Sequence, residues 1–273
     1  MTIRRLTLDD LAACMKLAVD REWPPEERKW RLLFEVGEVY GLDAPDGDGL
    51  ASTSVLTRYG DDHAVVSMVL TASRYGRRGL ARSVMEHLLE QAGDRVVSLH
   101  ATENGRPLYE QLGFRVVGRA AIQKGVFTGA PSDVTRTAGA ADLPAILDLD
   151  AEVFGTDRSA LLRRMPDFGE RLRVAERDGR LTGYGQVWRN DDSAVIGPVV
   201  ARDRDTAFAL IGDLALDDGG VVRMDIDQSR TELVEWATAH GVGGPWPVSL
   251  MARGGELPGD RSGQFLPFMQ ALG

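Results

Sequence analysis

The chain has 273 residues, of which 43% are hydrophobic and 27% charged, and its formal net charge is -9. This composition is ordinary for a globular protein of one or two domains. The negative charge disfavours a nucleic-acid partner, because duplex binding needs clustered Lys and Arg. One Cys excludes an internal disulfide, and one Cys with four His disfavours a Cys/His metal site.

The N-terminal residues contain no apolar signal-peptide core, and no stretch is long and apolar enough to span a membrane. We therefore expect a cytoplasmic protein. Residues 3–6 predict a short strand, and residues 11–19 predict a helix in which Cys14 is a small buried residue. The prolines at 24 and 25 end this helix, and a second helix follows to about residue 35.

Strands are predicted over residues 36–42, 50–58 and 64–70. The third runs into Arg74-Tyr-Gly-Arg-Arg-Gly-Leu-Ala81, and an amphipathic helix follows with leucines and a valine at helical spacing. A strand over 95–101, a short helix over 106–112 and a strand from Phe114 to Gly118 complete the first half.

The pattern then restarts after a Gly- and Ser-containing stretch, residues 125–132. Val221-Val-Arg-Met-Asp225 echoes Val96-Val-Ser-Leu-His100, and each precedes a candidate helix. We therefore predict two diverged copies of one α+β unit, residues 1–124 and 133–273, joined by a linker over 125–132. The Gly- and Pro-rich residues 241–263 predict a loop or an irregular strand pair.

The turn between Leu70 and Leu80 carries the strongest chemical signal. A helix start offers unpaired N–H groups and a positive dipole end, and glycine lets the backbone approach an anion closely. Arg77 and Arg78 add positive charge, so the segment suits a pyrophosphate. An ordinary strand–turn–helix with solvated arginines explains the same spacing.

A second motif lies about 30 residues later and ends in Tyr109-Glu-Gln-Leu-Gly-Phe114. Together the two stretches resemble the GNAT N-acetyltransferase superfamily. Residues 68–81 are similar to its acetyl-CoA motif, and residues 109–114 are similar to its Tyr-Glu-x-Leu-Gly-Phe motif. The chain departs from the first motif at Gly76, where Arg or Gln is usual, and at Arg77, where Gly is frequent.

The resemblance implies an α+β fold of two tandem GNAT-like domains, each a mixed, mostly antiparallel sheet flanked by helices. It implies acetyl transfer from acetyl-CoA to an amine by direct attack, without a metal, with Tyr109 as the general acid. It also implies the cofactor contacts, which are Met68, Val69, Leu70, Arg74, Gly76, Arg77, Arg78, Gly79, Leu80 and Ala81.

The acceptor side is less defined, and the acceptor, a small-molecule or peptide amine, stays open. We expect acceptor contacts from Glu22, Glu26, Asp157 and Arg158. Candidate general bases are Glu22, Glu26, Glu38 and His63, although a solvated charge or a surface histidine explains each of them, and a water relay would serve as well. The protein is expected to be a monomer or a homodimer.

The second half is expected to bind no CoA. No glycine lies between Val200 and Ile211, two aspartates stand where phosphates would lie, and Val234 stands near the place of Tyr109. This half would complete the acceptor pocket or stabilise the first half. Trp188, Trp236 and Trp246 could line that pocket or pack elsewhere. The alternative function is a non-catalytic acyl-CoA-binding or sensor protein.

Overall fold

A computed structural model describes residues 2–273, apart from the side chain of Pro245. Its strands are β1 (Ile3–Arg5), β2 (Glu38–Asp43), β3 (Leu50–Tyr59), β4 (His63–Thr71), β5 (Val96–Ala101), β6 (Arg115–Val126), β7 (Thr135–Thr137), β8 (Arg171–Arg177), β9 (Arg180–Arg189), β10 (Ala194–Ala201), β11 (Val221–Asp227), β12 (Gly243–Arg253) and β13 (Gln264–Leu266). Its helices are α1 (Leu11–Asp20), α2 (Glu27–Val36), α3 (Leu80–Ala92), α4 (Arg106–Gln111), α5 (Leu143–Phe154), α6 (Ser159–Leu162), α7 (Met165–Phe168), α8 (Arg204–Asp218) and α9 (Thr231–Ala239).

All thirteen strands belong to one sheet, in the order β1-β2-β3-β4-β5-β12-β6-β11-β10-β9-β8-β7, with β13 against β10. Two neighbouring pairs are parallel, β4 with β5 and β10 with β11, and the other pairs are antiparallel. The prediction of an α+β fold with two mixed, mostly antiparallel units is therefore confirmed, and the two units share one continuous sheet.

The two halves exchange strands at the middle of this sheet. Strand β12 of the second half lies between β5 and β6 of the first, with Leu250 opposite His100. Strand β6 in turn pairs with β11, with Ile122 opposite Asp225. Each half therefore completes the sheet of the other.

This exchange corrects two predictions about the chain. Residues 243–253, predicted to be a loop or an irregular strand pair, form an eleven-residue central strand. Its pairing with β6 has two register shifts, one between Gly243 and Trp246 and one between Leu250 and Met251. Strand β6 extends through Val126, so the irregular connection begins at Phe127 and not at residue 125.

Helix α3 illustrates how the amphipathic pattern produces the core. Val84, Met85, Leu88 and Ala92 lie on one face of the helix and are buried against the sheet, as the helical spacing predicts. Cys14 is also buried, and this burial raises the pKa of its thiol to about 12. A thiol that stays protonated at neutral pH is a packing residue and not a nucleophile.

Asp157 and Arg158 do not contact an acceptor site, which corrects that expectation. Arg158 is 3% exposed and makes a bidentate ion pair with Asp150, with both N–O distances at 2.7 Å. The Tyr184 hydroxyl donates to the same carboxylate. Asp157 accepts a hydrogen bond from the Ser159 amide at 2.7 Å, which closes the turn before α6. Arg158 therefore stabilises the second half, and Asp157 stabilises a local turn.

No helix among residues 2–273 is long and apolar enough to cross a membrane. The longest, α8, has 15 residues.

Candidate active site

A large cleft opens where β4 and β5 separate. The two strands pair over only three residues, His63–Val65 with 96–98. Beyond that point β5 stays paired with β12 as far as Ala101, and β4 stays paired with β3 as far as Thr71. The edge of β4 that faces the gap has no strand partner, so backbone groups there are open to a ligand. The cleft has a volume of about 920 Å³.

Met68 lies at an irregular point in β4 on the wall of this cleft. Its φ of 49° is left-handed, and the β3–β4 register shifts between Thr53 and Val55. Strain of this kind, which costs about 1–3 kcal/mol, persists only where the surroundings impose it. Here the Ser52 hydroxyl donates to the Leu70 carbonyl at 2.8 Å and holds the distorted strand from the core side. Met68, Val69 and Leu70, which the sequence predicts to contact the cofactor, all line the cleft.

The first turn of α3 forms the far end of the cleft. Gly79 precedes the helix in the left-handed conformation, with φ 79° and ψ 3°, and no side chain caps the helix. A Cβ added at Gly79 would meet no atom within 4 Å, so the space in front of this helix end is open. Gly79, Leu80 and Ala81 line the cleft, and the uncapped amides there suit an anionic group.

The backbone accommodates the departure from the acetyl-CoA motif at residues 76 and 77. Arg77 takes the left-handed conformation, with φ 59°, which usually favours glycine. Gly76 has φ -57° and ψ 150°, a conformation open to any residue. Both residues line the cleft, so the exchanged pair retains the shape of the turn.

The other two predicted arginines point elsewhere. Arg74 donates to the Asp46 carboxylate at 3.2 Å and to the Asp48 carbonyl at 2.6 Å. The Arg78 guanidinium lies over the Tyr75 ring, 5.4 Å from its centroid. Neither lines the cleft, so in this structure the positive charge on its walls comes from other arginines, namely Arg21, Arg77 and Arg82.

Tyr109 lies on α4 and lines the cleft. Its ring packs edge-on against Phe114, with the centroids 6.0 Å apart. Gly105 leaves room for the ring, because a Cβ there would lie 3.1 Å from Tyr109 Cε2. Burial raises the pKa of Tyr109 to about 12, so the phenol carries its proton at neutral pH.

A side pocket of about 530 Å³ adjoins the cleft and shares Glu22, Ser67, Met68 and His100 with it. Both halves form its wall. The second half contributes Trp188, Asn190, Arg223, Trp246, Met269 and Gln270. Glu26 also lies there, paired with Lys29, and both Glu22 and Glu26 have left-handed φ values, 61° and 42°.

The remaining candidates lie outside the side pocket. Glu38 pairs with Arg58 and accepts from the Tyr40 hydroxyl. His63 is buried, with Nε2 2.9 Å from Ser98 Oγ, and lines a separate small cavity of about 70 Å³. Trp236 packs with the rings of Phe127 and Phe208.

Sequence reasoning missed His100, although it recognised the strand that ends beside it. Side chains at the end of a strand that borders a cleft are frequent site residues, and this position gave the available signal. The arginines at 21 and 82, and Trp23, had no such signal, because nothing local distinguishes them from surface residues. Within residues 2–273 no group of three or more His, Cys, Asp or Glu side chains is arranged to hold a metal ion.

The equivalent helix start in the second half is occupied by a carboxylate. Asp203 precedes α8, and its side chain accepts from the Thr206 amide at 2.8 Å and from the Thr206 hydroxyl at 2.9 Å. Helix α9 carries Val234 and no tyrosine. A negative charge on the first-turn amides repels an anion where the first half leaves them open.

Acidification is expected to destabilise the protein through His63. Burial lowers the pKa of His63 from 6.5 to about 4. Between these values the unfolded chain binds a proton that the folded chain does not, so the contribution of the neutral imidazole is complete above pH 6.5 and falls by about 3 kcal/mol towards pH 4. Denaturant unfolding near neutral pH and at about pH 4.5 should show this loss, reduced in a His63→Gln variant.

The control for this experiment is His87→Gln, which removes a half-buried histidine that packs on Tyr40. It should retain the full loss of stability on acidification. An equal loss in His63→Gln and the wild type would assign the effect to another group.

Comparison with known proteins places this geometry in a family. Two protein-family models, each described as an acetyltransferase (GNAT) domain, match residues 48–128 and 146–266. The chain is 27% identical over 243 residues to the uncharacterized N-acetyltransferase YitH of Bacillus subtilis (strain 168), covering 84% of this chain and 83% of YitH.

Two solved structures share the fold over nearly the whole chain. One is a protein from Pyrococcus horikoshii assigned as an acetyltransferase, with a TM-score of 0.84 at 20% identity, covering 100% of this chain and 95% of that one. The other is a tandem GNAT protein from the clavulanic acid biosynthesis pathway, with a TM-score of 0.67 at 15% identity, covering 92% and 97%. The tandem arrangement predicted from the sequence is therefore confirmed.

Proposed function

The chain belongs to the GNAT acetyltransferase family as a tandem of two GNAT domains, and from this premise we propose that its first half binds acetyl-CoA and transfers the acetyl group to an amine. The observation that carries the proposal is the large cleft between β4 and β5, which has an uncapped helix start at one end and Tyr109 on its wall. The acceptor would enter from the side pocket.

The cofactor would bind mainly through backbone groups. Its diphosphate would meet the first-turn amides of α3 beside Gly79, where no side chain competes. The pantetheine would follow the unpaired edge of β4 from Thr71 towards Met68. This arrangement would direct the thioester to the junction of the cleft and the side pocket.

Tyr109 would act as the general acid. When the amine nitrogen attacks the thioester carbon, the C–S bond breaks and its electron pair stays on sulfur. A phenol beside that sulfur donates a hydrogen bond to the developing thiolate and then a proton. Because burial raises the pKa of Tyr109 to about 12, a tyrosinate formed in this step would regain a proton rapidly at neutral pH.

The second half would bind no CoA and would serve as a wall of the acceptor pocket. Asp203 supports this division, since its carboxylate caps the helix start that corresponds to α3. Trp188, Arg223 and Gln270 line the side pocket and would contact the acceptor. A fused second half of this kind supplies pocket residues that the first half lacks.

Gly79→Ala is expected to weaken acetyl-CoA binding by about tenfold or more, which corresponds to about 1.4 kcal/mol. The added Cβ would enter the open space in front of the α3 amides, where the diphosphate would lie. Calorimetric titration measures the affinity, and release of free CoA thiol in the presence of phenethylamine, glucosamine, spermidine and glycylglycine measures transfer.

Gly219→Ala is the matched control, because Gly219 has nearly the same backbone conformation, with φ 68° and ψ 5°, at the end of α8. Both substitutions carry the same left-handed strain, about 1–2 kcal/mol, but only the first lies at the cleft. Equal acetyl-CoA affinity in the two variants would argue against the proposed diphosphate site. Binding to the wild type without thiol release for any amine would favour the acyl-CoA sensor instead.

A further inference from the structure

His100 borders three cavities. It lies near the end of β5, and it lines the large cleft, the side pocket and the small cavity. We propose that His100 is the general base of the transfer reaction, held in its reactive tautomer by the main-chain carbonyl of Gln270. This inference rests on the proposed function and adds a residue and a role to it.

The hydrogen bond to Gln270 fixes the tautomer. His100 Nδ1 lies 3.1 Å from the Gln270 carbonyl oxygen, and a carbonyl oxygen can only accept. Nδ1 therefore carries the hydrogen, and in the neutral ring Nε2 keeps a free lone pair. Gln270 belongs to the C-terminal segment of the second half, so that half would take part in catalysis by orienting the base.

The surroundings keep the imidazole neutral at neutral pH. Burial is the largest influence and lowers the pKa of His100, while the Gln270 carbonyl and the Asp225 carboxylate on β11 oppose this effect. Many other charged and titratable groups line the same three cavities, namely Arg21, Glu22, Glu26, Lys29, His63, Arg77, Arg82, Tyr109, Arg119, Lys124, Asp192, Arg223, Asp225, Asp227 and Arg261. Asp227 adds to the raising influence and Arg261 to the lowering one. A neutral imidazole is the form that can accept a proton.

The other candidate bases are less well placed. Glu22 borders the same junction, but its side chain is exposed to solvent. Glu26 is paired with Lys29. His63 reaches only the small cavity, and its Nε2 faces Ser98. His100 differs from these residues because it is an imidazole that lines both the cleft and the side pocket, with its tautomer set by a main-chain carbonyl.

In the proposed step, one proton leaves the amine and one proton reaches the sulfur. The neutral amine nitrogen bonds to the thioester carbon, and its N–H becomes acidic as positive charge develops on nitrogen. His100 Nε2 takes that proton, directly or through one water, while the C–S electron pair passes to sulfur and Tyr109 donates its proton there. The products are an N-acetyl amine and the free CoA thiol, and the imidazolium proton returns to the tyrosinate through solvent.

The small cavity behind His100 would offer the proton a second route to solvent. Its volume of about 70 Å³ has room for water, and its lining is part polar and part apolar. His63 Nδ1 is buried there and lacks a hydrogen-bond partner in the described part of the chain. Water molecules in this cavity would connect His100 to Asp225 and Asp227, which also line it.

His100→Asn tests the assignment, because the asparagine amide can still donate to the Gln270 carbonyl but has no basic nitrogen. We expect kcat with the best amine of the panel to fall by about 10²- to 10⁴-fold, the contribution of a positioned base. The acidic limb of the pH–kcat profile should disappear, and the acetyl-CoA Kd should stay within about twofold. His87→Asn, on α3 and outside these three cavities, should retain both kcat and the limb.

Two further results decide the matter independently of folding defects. The ring signals of His100 are those that the His100→Asn variant lacks. In ¹⁵N NMR spectra of the wild type, these signals should show the tautomer protonated at Nδ1. A ring protonated at Nε2, or a variant that keeps kcat and the acidic limb, would overturn the base while leaving the proposed function intact. Absence of turnover by the wild type with every amine would overturn the proposed function and the base with it.

Discussion

Replacing Tyr109 by phenylalanine is expected to lower kcat for acetyl transfer by about 10²- to 10⁴-fold with little change in acetyl-CoA affinity. The substitution removes the only proton donor of this side chain and keeps its ring, which packs on Phe114 at 6.0 Å. A large fall in kcat at constant Kd identifies an interaction made in the transition state and not in the ground state. Steady-state kinetics with calorimetry measure both quantities.

Tyr40→Phe provides the comparison, since Tyr40 and Tyr109 are equally buried, each 7% exposed, and Tyr40 lies on β2 away from the cleft. It loses a hydrogen bond to Glu38, so a modest loss of stability is expected, with kcat unchanged. If Tyr109→Phe kept kcat as well, the phenol would not be the acid, and a water would have to protonate the thiolate.

Asp150→Asn is expected to lower the free energy of unfolding by about 3–5 kcal/mol. Arg158 is 3% exposed, and removing the charge of its partner would leave a buried guanidinium without a counter-ion. The Tyr184 hydroxyl donates to the same carboxylate, and in the variant its acceptor would be a weaker, uncharged amide oxygen. Urea unfolding monitored by circular dichroism measures the change.

Glu152→Gln is the matched control on the same helix. Glu152 pairs with Arg202 at 2.6 Å, but the two side chains are 58% and 45% exposed, and exposed pairs contribute about 0–1 kcal/mol. The large effect should therefore follow burial and not the presence of an ion pair. Similar losses of unfolding free energy in both variants would show that burial does not increase the contribution of the Asp150–Arg158 pair to stability.

The local elements of the first half could be predicted from the sequence because their signals are local. The buried face of α3 follows from residues at helical spacing, and the turn before it follows from Gly79. The two motifs, residues 68–81 and 109–114, lie on the walls of one cleft, because β4 and β5 are neighbours and each is followed by its motif. Pattern and topology agree there.

The strand exchange could not be predicted, because it depends on partners far apart in the chain. Strand β12 begins with glycines and prolines, which locally indicate a turn, yet it pairs with β5 about 150 residues earlier. Strand β6 likewise lengthens because β11 pairs with it. Tertiary pairing outweighs local preference in both strands.

The buried role of Arg158 was also outside the reach of local reasoning. The pattern Gly155-Thr-Asp-Arg158 predicts a solvent-facing arginine at a helix start. Its burial depends on Asp150, eight residues earlier on α5, and on Tyr184 of β9, which close around it only in the folded chain. The same limit applies to His100, whose proposed role depends on a carbonyl 170 residues later in the sequence.

A crystal structure with acetyl-CoA bound tests the central claim most directly. We predict one cofactor per chain, its diphosphate on the first-turn amides of α3 beside Gly79 and its sulfur within hydrogen-bond distance of the Tyr109 hydroxyl. A cofactor bound at α8 of the second half, or a sulfur out of reach of Tyr109, would contradict the account.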